Sequence, residues 1–372
     1  MLSRPPEHVA ALDGIRGLAV LMVLAHNFNL LDGDLGALAR AVSLAMDFGW
    51  VGVQLFFVLS GFLITGILLD TRRSPGYWRA FLGRRVLRIF PLYYAVLIAA
   101  FVVAPLVTGN PTPGHEHQVW LWTYLANWAE PFGLTVPWFP HFWSLAIEEQ
   151  FYLVWPLLVR VLSARALVRV CAVLVVVALV SRIALRVGGY GSQGAYMFTI
   201  CRFDALALGA IAAVLVRTPA PRAWVEARRG LLRRATLALV VVTVIVTRGA
   251  PRSGVWTQTF GYTALAIAFT ALVLDLALTA AAPDGLARAF AWTPLRLAGT
   301  YSYGMYVFHT PLHLLFGVPA IARIADGAPV GLPLALGYFV VATLTTSVVA
   351  VISYHLLERP FLRLKRHFVA GT

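Results

Sequence analysis

The chain has 372 residues, of which 60% are hydrophobic and only 12% charged, and its formal net charge is +14. With a mean hydropathy of +0.78, this composition excludes a water-soluble globular domain, which must keep a large part of its surface wetted. The positive charge does not mark a nucleic-acid face, because the arginines lie in short loops between apolar runs.

Those runs are long enough to cross a bilayer, and lipid is the solvent that suits them. In chain order they read as about ten spans, at roughly 15–31, 50–69, 89–108, 143–161, 170–186, 201–216, 235–247, 258–280, 297–317 and 333–357. The expected fold is therefore an all-α, polytopic transmembrane helix bundle. Prolines and glycines mark its joints, among them Pro75-Gly76, Pro111, Pro113-Gly114, Pro219 and Pro333. With the N-terminus inside, 23 of the 30 Lys and Arg fall on inner segments and 7 on the outer side. That asymmetry predicts that both termini are cytoplasmic. A cleaved leader is not expected, because the first apolar stretch contains Arg16 and His26. Residues 1–372 read as a single transmembrane domain with no internal repeat and no soluble appended domain.

The longest outer loop, about 109–142, has no Lys or Arg and is rich in Trp, Pro and His. Its aromatics suit a lipid interface or a sugar-binding wall. His115, His117 and His141 lack the close ligand set that a metal needs, so no metal is expected. Cys171 and Cys201 fall near opposite membrane faces, too far apart to bridge.

Titratable groups inside spans are costly and are functional candidates by default. His26 lies ten residues after Arg16, about 15 Å deeper along a helix and near mid-bilayer. There an imidazole is a base, a proton relay or a structural hydrogen-bonder. Arg79, Arg84, Arg85 and Arg88 precede the third span. They read as a positive-inside loop or as a phosphate site, and Arg85 and Arg88 share a helix face. Glu148 and Glu149 sit inside the fourth span. Neighbours point about 100° apart, so one of them faces the site. Pairing with an arginine and catalysis are both open to them. Ser60-Gly61 suits close helix packing, and Arg202 and Asp204 suit pairing with each other or with a neighbour. Asn127, Trp143, Arg202, Tyr303 and His309, with Ser60, are the candidates for the acceptor side or a tunnel.

Several motifs resemble the acyltransferase 3 family, membrane acyltransferases that modify sugars. They are Asp13-Gly-Ile-Arg16-Gly leading to His26, Phe56-Phe-Val-Leu-Ser60-Gly61-Phe62, and Phe81-Leu-Gly-Arg84-Arg85-Val-Leu-Arg88-Ile-Phe-Pro91. They continue with Trp143-Ser144-Leu145 and Glu148, Arg202-Phe-Asp204, Ser302-Tyr303 to His309, and Glu358-Arg-Pro360. The resemblance runs in order along nearly the whole chain. It implies an acyl-coenzyme A co-substrate, acetyl-coenzyme A above all, on the cytoplasmic side, with no bound cofactor. It implies a hydroxyl acceptor on a carbohydrate, glycolipid or glycosylated metabolite. Carried onto this chain, the catalytic histidine is His26 with Arg16 in support, and Arg84, Arg85 and Arg88 lie at the coenzyme end. The family's usual arginine-to-histidine spacing is one residue longer. Ten positions leave the two side chains about 80° apart on a regular helix. Their partnership therefore requires a distorted helix, or an Arg16 outside the regular part.

The chemistry that follows is O-acyl transfer with His26 as general base or transient acyl carrier. Glu148 is expected to orient its ring, with Glu149 second. The competing reading is a membrane transporter of an anionic or sugar-linked substrate. A transporter would show repeats or matching broken spans in two halves, and none is evident. Arginine outnumbers lysine 29 to 1, which suggests a GC-rich bacterial genome and a multi-pass protein of the bacterial cell membrane.

Overall fold

The computed structural model describes residues 9–31, 36–279 and 282–369. Among them there is no strand; the chain is helical throughout. The principal helices are α1 Ala10–Asn27, α2 Ala37–Asp47, α3 Val51–Thr71, α4 Tyr77–Ile98, α5 Phe142–Val161 and α6 Ala164–Val187. They continue with α7 Thr199–Arg217, α8 Arg229–Val246, α9 Tyr262–Leu278, α10 Thr293–Leu312 and α11 Leu332–Ser353. Helices satisfy every backbone donor and acceptor within one segment, which is what an apolar chain in lipid requires.

Each apolar stretch read from the sequence falls on one of these helices. Among the described residues, eight helices are long and apolar enough to cross a membrane. α5 and α8 are not among the eight. The first carries Glu148, Glu149 and Arg160, and the second Arg229, Arg233 and Arg234.

Two boundaries differ from the hydropathy reading. α1 starts at Ala10, before the apolar run, and Asp13 and Arg16 pair across one turn at 3.4 Å. It stops at Asn27, whose side chain donates back to the Val23 carbonyl at 2.9 Å. α4 starts at Tyr77, so the arginine segment is itself helix, launched from Gly76 at φ 73°.

Small residues let the central helices approach closely. A Cβ on Gly17 of α1 would lie 1.9 Å from the Leu295 carbonyl oxygen of α10. One on Gly61 of α3 would lie 2.0 Å from the Leu206 carbonyl oxygen of α7. α1, α3, α7 and α10 thus form a tight centre around which the rest are laid.

Several charges inside the bundle are paired. Arg182 and Asp204 meet at 2.9 Å with neither side chain exposed. Asp204 therefore takes a neighbour, and Arg202 is left to other partners. Arg229 and Arg233 share Asp275 and Asp284 at 2.5–2.9 Å. Breaking the Arg182–Asp204 pair would leave an uncompensated buried charge, at a cost of about 3–5 kcal/mol.

Candidate active site

α1, α3, α4, α5 and α10 enclose a cavity of about 210 Å³. Its polar lining comes from side chains far apart in sequence: Arg16, Ser60, Arg85, Arg88, Glu148 and Tyr152. Arg85 and Arg88, three apart, project from one face of α4. Arg84 lies on another face, is exposed, and donates to the Phe368 carbonyl at 2.7 Å. The Arg85 guanidinium lies 5.9 Å from the ring centres of both Phe81 and Tyr152, and its Nε has no hydrogen-bond partner among the described residues.

The two adjacent glutamates diverge as their helical spacing requires. Glu148 lines the cavity, where Arg85 and Arg16 are its cationic neighbours. Glu149 does not line it. Its Oε1 is buried without a partner among the described residues, on the side of Tyr93, Tyr94 and Tyr124. Ser60 and Gly61 divide the labour of their dipeptide. Gly61 makes the close helix contact, while the Ser60 hydroxyl meets the Tyr152 hydroxyl at 2.7 Å inside the cavity.

The cavity therefore holds three guanidinium groups and one carboxylate, with Asp13 as a second carboxylate beside Arg16. Guanidinium groups bind phosphate and carboxylate oxygens in planar pairs. An anionic ligand suits this surplus of positive charge.

His26 lies elsewhere. α1 is regular from Ala10 to Asn27 and contains both Arg16 and His26, so neither condition for their direct partnership is met. His26 is not part of the cavity lining. Its Nδ1 is 4.0 Å from Asp47 Oδ1, and Asp47 in turn accepts from the Asn29 amide at 2.8 Å. The carboxylate beside His26 is thus Asp47, at the end of α2, while Glu148 keeps company with Arg16 and Arg85. Sequence reasoning passed over Asp47. The available signal was an acidic residue just before the second apolar run, level with the far end of the first.

Between the cavity and His26 lies a chain of polar groups. Tyr306 lines the cavity, and its hydroxyl meets Ser144 Oγ at 2.5 Å and the His141 carbonyl at 3.0 Å. His309, fully buried, donates from Nδ1 to the Tyr306 carbonyl at 2.5 Å. Its Nε2 is buried without a partner among the described residues. The ring of His141 is 4.6 Å away, and His26 is among the charges His309 senses.

The remaining candidates separate. Tyr303 lines the cavity and donates to the Ile89 carbonyl at 2.7 Å. Trp143 and Arg202 belong to a dry box. The Arg202 guanidinium lies 4.5–5.8 Å from the rings of Tyr262, Tyr196, Phe57 and Trp143, and donates to the Gln54 side chain. Asn127 is buried and joins the outer loop to α5 and α7, through Thr199 Oγ1 at 2.8 Å and Gln150 at 2.8 Å. Two of the loop's aromatics pack inward, Tyr124 stacked on Tyr93 at 4.2 Å and Trp122 on Tyr94 at 5.8 Å, while Trp128 and Phe132 are exposed.

Comparison with known proteins adds to this geometry. The family model described as acyltransferase domain matches residues 9–355, nearly the whole chain. The Bacillus subtilis protein YrhL is 29% identical over 95% of this chain and 55% of its own length. Peptidoglycan O-acetyltransferase OatA of Listeria monocytogenes is 28% identical over 82% of this chain and 49% of its own. O-acetyltransferase OatA of Staphylococcus aureus is 24% identical over 95% of this chain and 57% of its own. The chain thus spans about half the length of the curated relatives it matches. No solved structure matches it.

Proposed function

We propose, for a chain that belongs to this acyltransferase family, that it is a membrane O-acyltransferase moving an acetyl group from acetyl-coenzyme A to a hydroxyl of a cell-envelope carbohydrate. The carbohydrate acceptor is suggested by the relatives described as O-acetyltransferases. The observation that carries the reading is the cavity, where Arg16, Arg85 and Arg88 meet Glu148. A coenzyme A donor brings phosphates to bind there and a thioester to deliver.

In this reading the helices cross the membrane ten times, with both termini and the arginine-rich ends in the cytoplasm, following the distribution of Lys and Arg. The donor reaches the cavity from that side. The acceptor approaches from the other, toward His26.

The acceptor oxygen attacks the thioester carbonyl carbon, the carbon–sulfur bond breaks, and the coenzyme leaves as a thiolate. The hydroxyl proton passes to His26 in the transition state and from there to the departing sulfur. Asp47, whose Oδ1 is 4.0 Å from the His26 Nδ1, stabilises by its charge the imidazolium that forms.

A second reading has support in one observation: Glu148, not His26, lines the cavity. There Glu148 itself is the base. One pair of variants separates the two. Positioned proton transfer contributes typically about 10²–10⁴-fold. His26→Gln keeps size and polarity but no useful basicity. If His26 is the base, this variant loses at least about 100-fold in acetyl transfer, while coenzyme A still binds. Retention of most activity by His26→Gln, with loss in Glu148→Gln, moves the base to Glu148.

A further inference from the structure

A second basic concavity, of about 1490 Å³, opens where the last turns of α3, α5 and α7 meet the first turn of α6. It shares no lining residue with the cavity of Arg16 and Glu148. Five arginines surround it: Arg72, Arg73, Arg160, Arg165 and Arg169. Its carboxylate, Asp70, is already taken by Arg217 through two hydrogen bonds of 2.8 and 2.7 Å. Arg72 and Arg160 brace the rim by donating to each other's carbonyls, Arg72 at 3.1–3.2 Å. Arg73, Arg165 and Arg169 make no ion pair among the described residues.

Two helix starts face the same space. α6 begins there after Ser163, and the helix Pro219–Glu226 begins there with no side-chain cap. Both point the positive end of a helix dipole at it, although Ser163 Oγ already caps the Ala166 N–H of α6 at 3.2 Å and Pro219 and Pro221 carry no N–H in the first turn of the other. The wall is apolar, from Val168, Val214 and Leu215. A basic rim above an apolar wall, at the ends of membrane helices, has the chemistry of a lipid headgroup site.

We propose that this groove binds the phosphate headgroup of an anionic phospholipid. Its carboxylate and hydroxyls are already engaged, Asp70 by Arg217, Ser163 by the Ala166 N–H and Thr218 by the Val214 carbonyl, which leaves the arginines to meet a ligand. Phosphate ester oxygens satisfy the free guanidinium groups, and the acyl chains lie along Val168 and the neighbouring apolar surface. The ligand class is a phosphodiester lipid with net negative charge.

The test uses the purified full chain, incubated with phosphatidylcholine vesicles with and without phosphatidylglycerol, and counts retained phosphatidylglycerol by native mass spectrometry. Arg165 and Arg169 are exposed, on successive turns of α6. Arg165→Gln with Arg169→Gln is expected to weaken phosphatidylglycerol retention about 30-fold. The matched control, Arg234→Gln with Arg288→Gln, removes two exposed arginines outside the groove and is expected to change it less than about twofold. Arg165→Lys with Arg169→Lys, which keeps charge and spares folding, is expected to fall between them. Equal losses in the groove and control variants would reduce the groove to ordinary surface charge and overturn the proposal. So would full displacement of the lipid by inorganic phosphate, which would mark a free-phosphate site. Unchanged retention in the lysine variant, should the glutamine one not fold, would also count against a planar guanidinium site.

Discussion

At Arg16 the first helix meets two more arginines and a glutamate inside a cavity, whereas ten residues on, at His26, it meets Asp47, and just past its end Phe28 lies against His309. The first end carries an excess of guanidinium groups over carboxylates. At the second, the cationic neighbour of His26 is Arg252, and the fully buried Arg202 is closed off by four rings and Gln54. Positive charge open to a ligand thus accompanies Arg16, and proton-accepting nitrogen accompanies His26, with Tyr306 and His309 between. In the proposed reaction one helix thereby separates holding an anion from handling a proton. The glycines that press α1 against α10 keep those two tasks in fixed register.

The comparison breaks most visibly if the arginines of α4 prove interchangeable. A hydrogen bond to a charged group contributes about 1.5–3 kcal/mol, or about 10- to 150-fold in affinity. Arg85→Ala should weaken coenzyme A binding by that factor in a calorimetric titration. Arg84→Ala, which loses only its bond to the Phe368 carbonyl, should bind within about twofold of the parent. Equal losses would mean that the cavity face of α4 has no special part.

At the other end, Asp47→Asn sharpens the distinction between positioning and binding. The aspartate lies 4.0 Å from His26 and outside the arginine cavity. Steady-state kinetics should give a kcat about tenfold lower with the KM for acetyl-coenzyme A unchanged. A raised donor KM with normal kcat would instead attach Asp47 to donor binding.

The smallest effect concerns stability and lies in the outer loop, away from both ends. Burial pushes the Glu130 carboxyl up to about 7, against a lesser pull from the Val136 backbone. The folded state then holds a proton that the unfolded state has released between its ordinary value near 4.5 and 7. Stability therefore falls as pH rises through that window and levels off above it. Glu130→Gln should flatten this slope in thermal melts, leaving acetyl transfer alone.

Much of this arrangement is legible in the sequence where one helix decides it. The apolar runs give the helices, and the three-residue step from Arg85 to Arg88 gives their shared face. The 100° turn between Glu148 and Glu149 requires that the two part, but which one meets Arg85 depends on how α5 sits against α4. Asp47 escapes because its meeting with His26 depends on the connection that brings α2 back beside the end of α1. Arg202 was expected to pair with Asp204 or a neighbour. Asp204 takes such a neighbour, Arg182 on the preceding long helix, while Arg202 takes rings that arrive from α3, α5 and α9. Asn127 has the look of a ligand group in sequence, yet its bonds to Thr199 and Gln150 hold the outer loop in place.

The account stands on the donor being held at the arginine end and the acceptor being modified at the other. Sealed vesicles carrying the protein in one known orientation test it, with labelled acetyl-coenzyme A on one face and a carbohydrate acceptor on the opposite face. Acetylated acceptor should form only when the donor is on the face bearing Arg85 and Arg88, and His26→Gln should abolish it there. Acetylation that requires donor and acceptor on the same face would contradict the account.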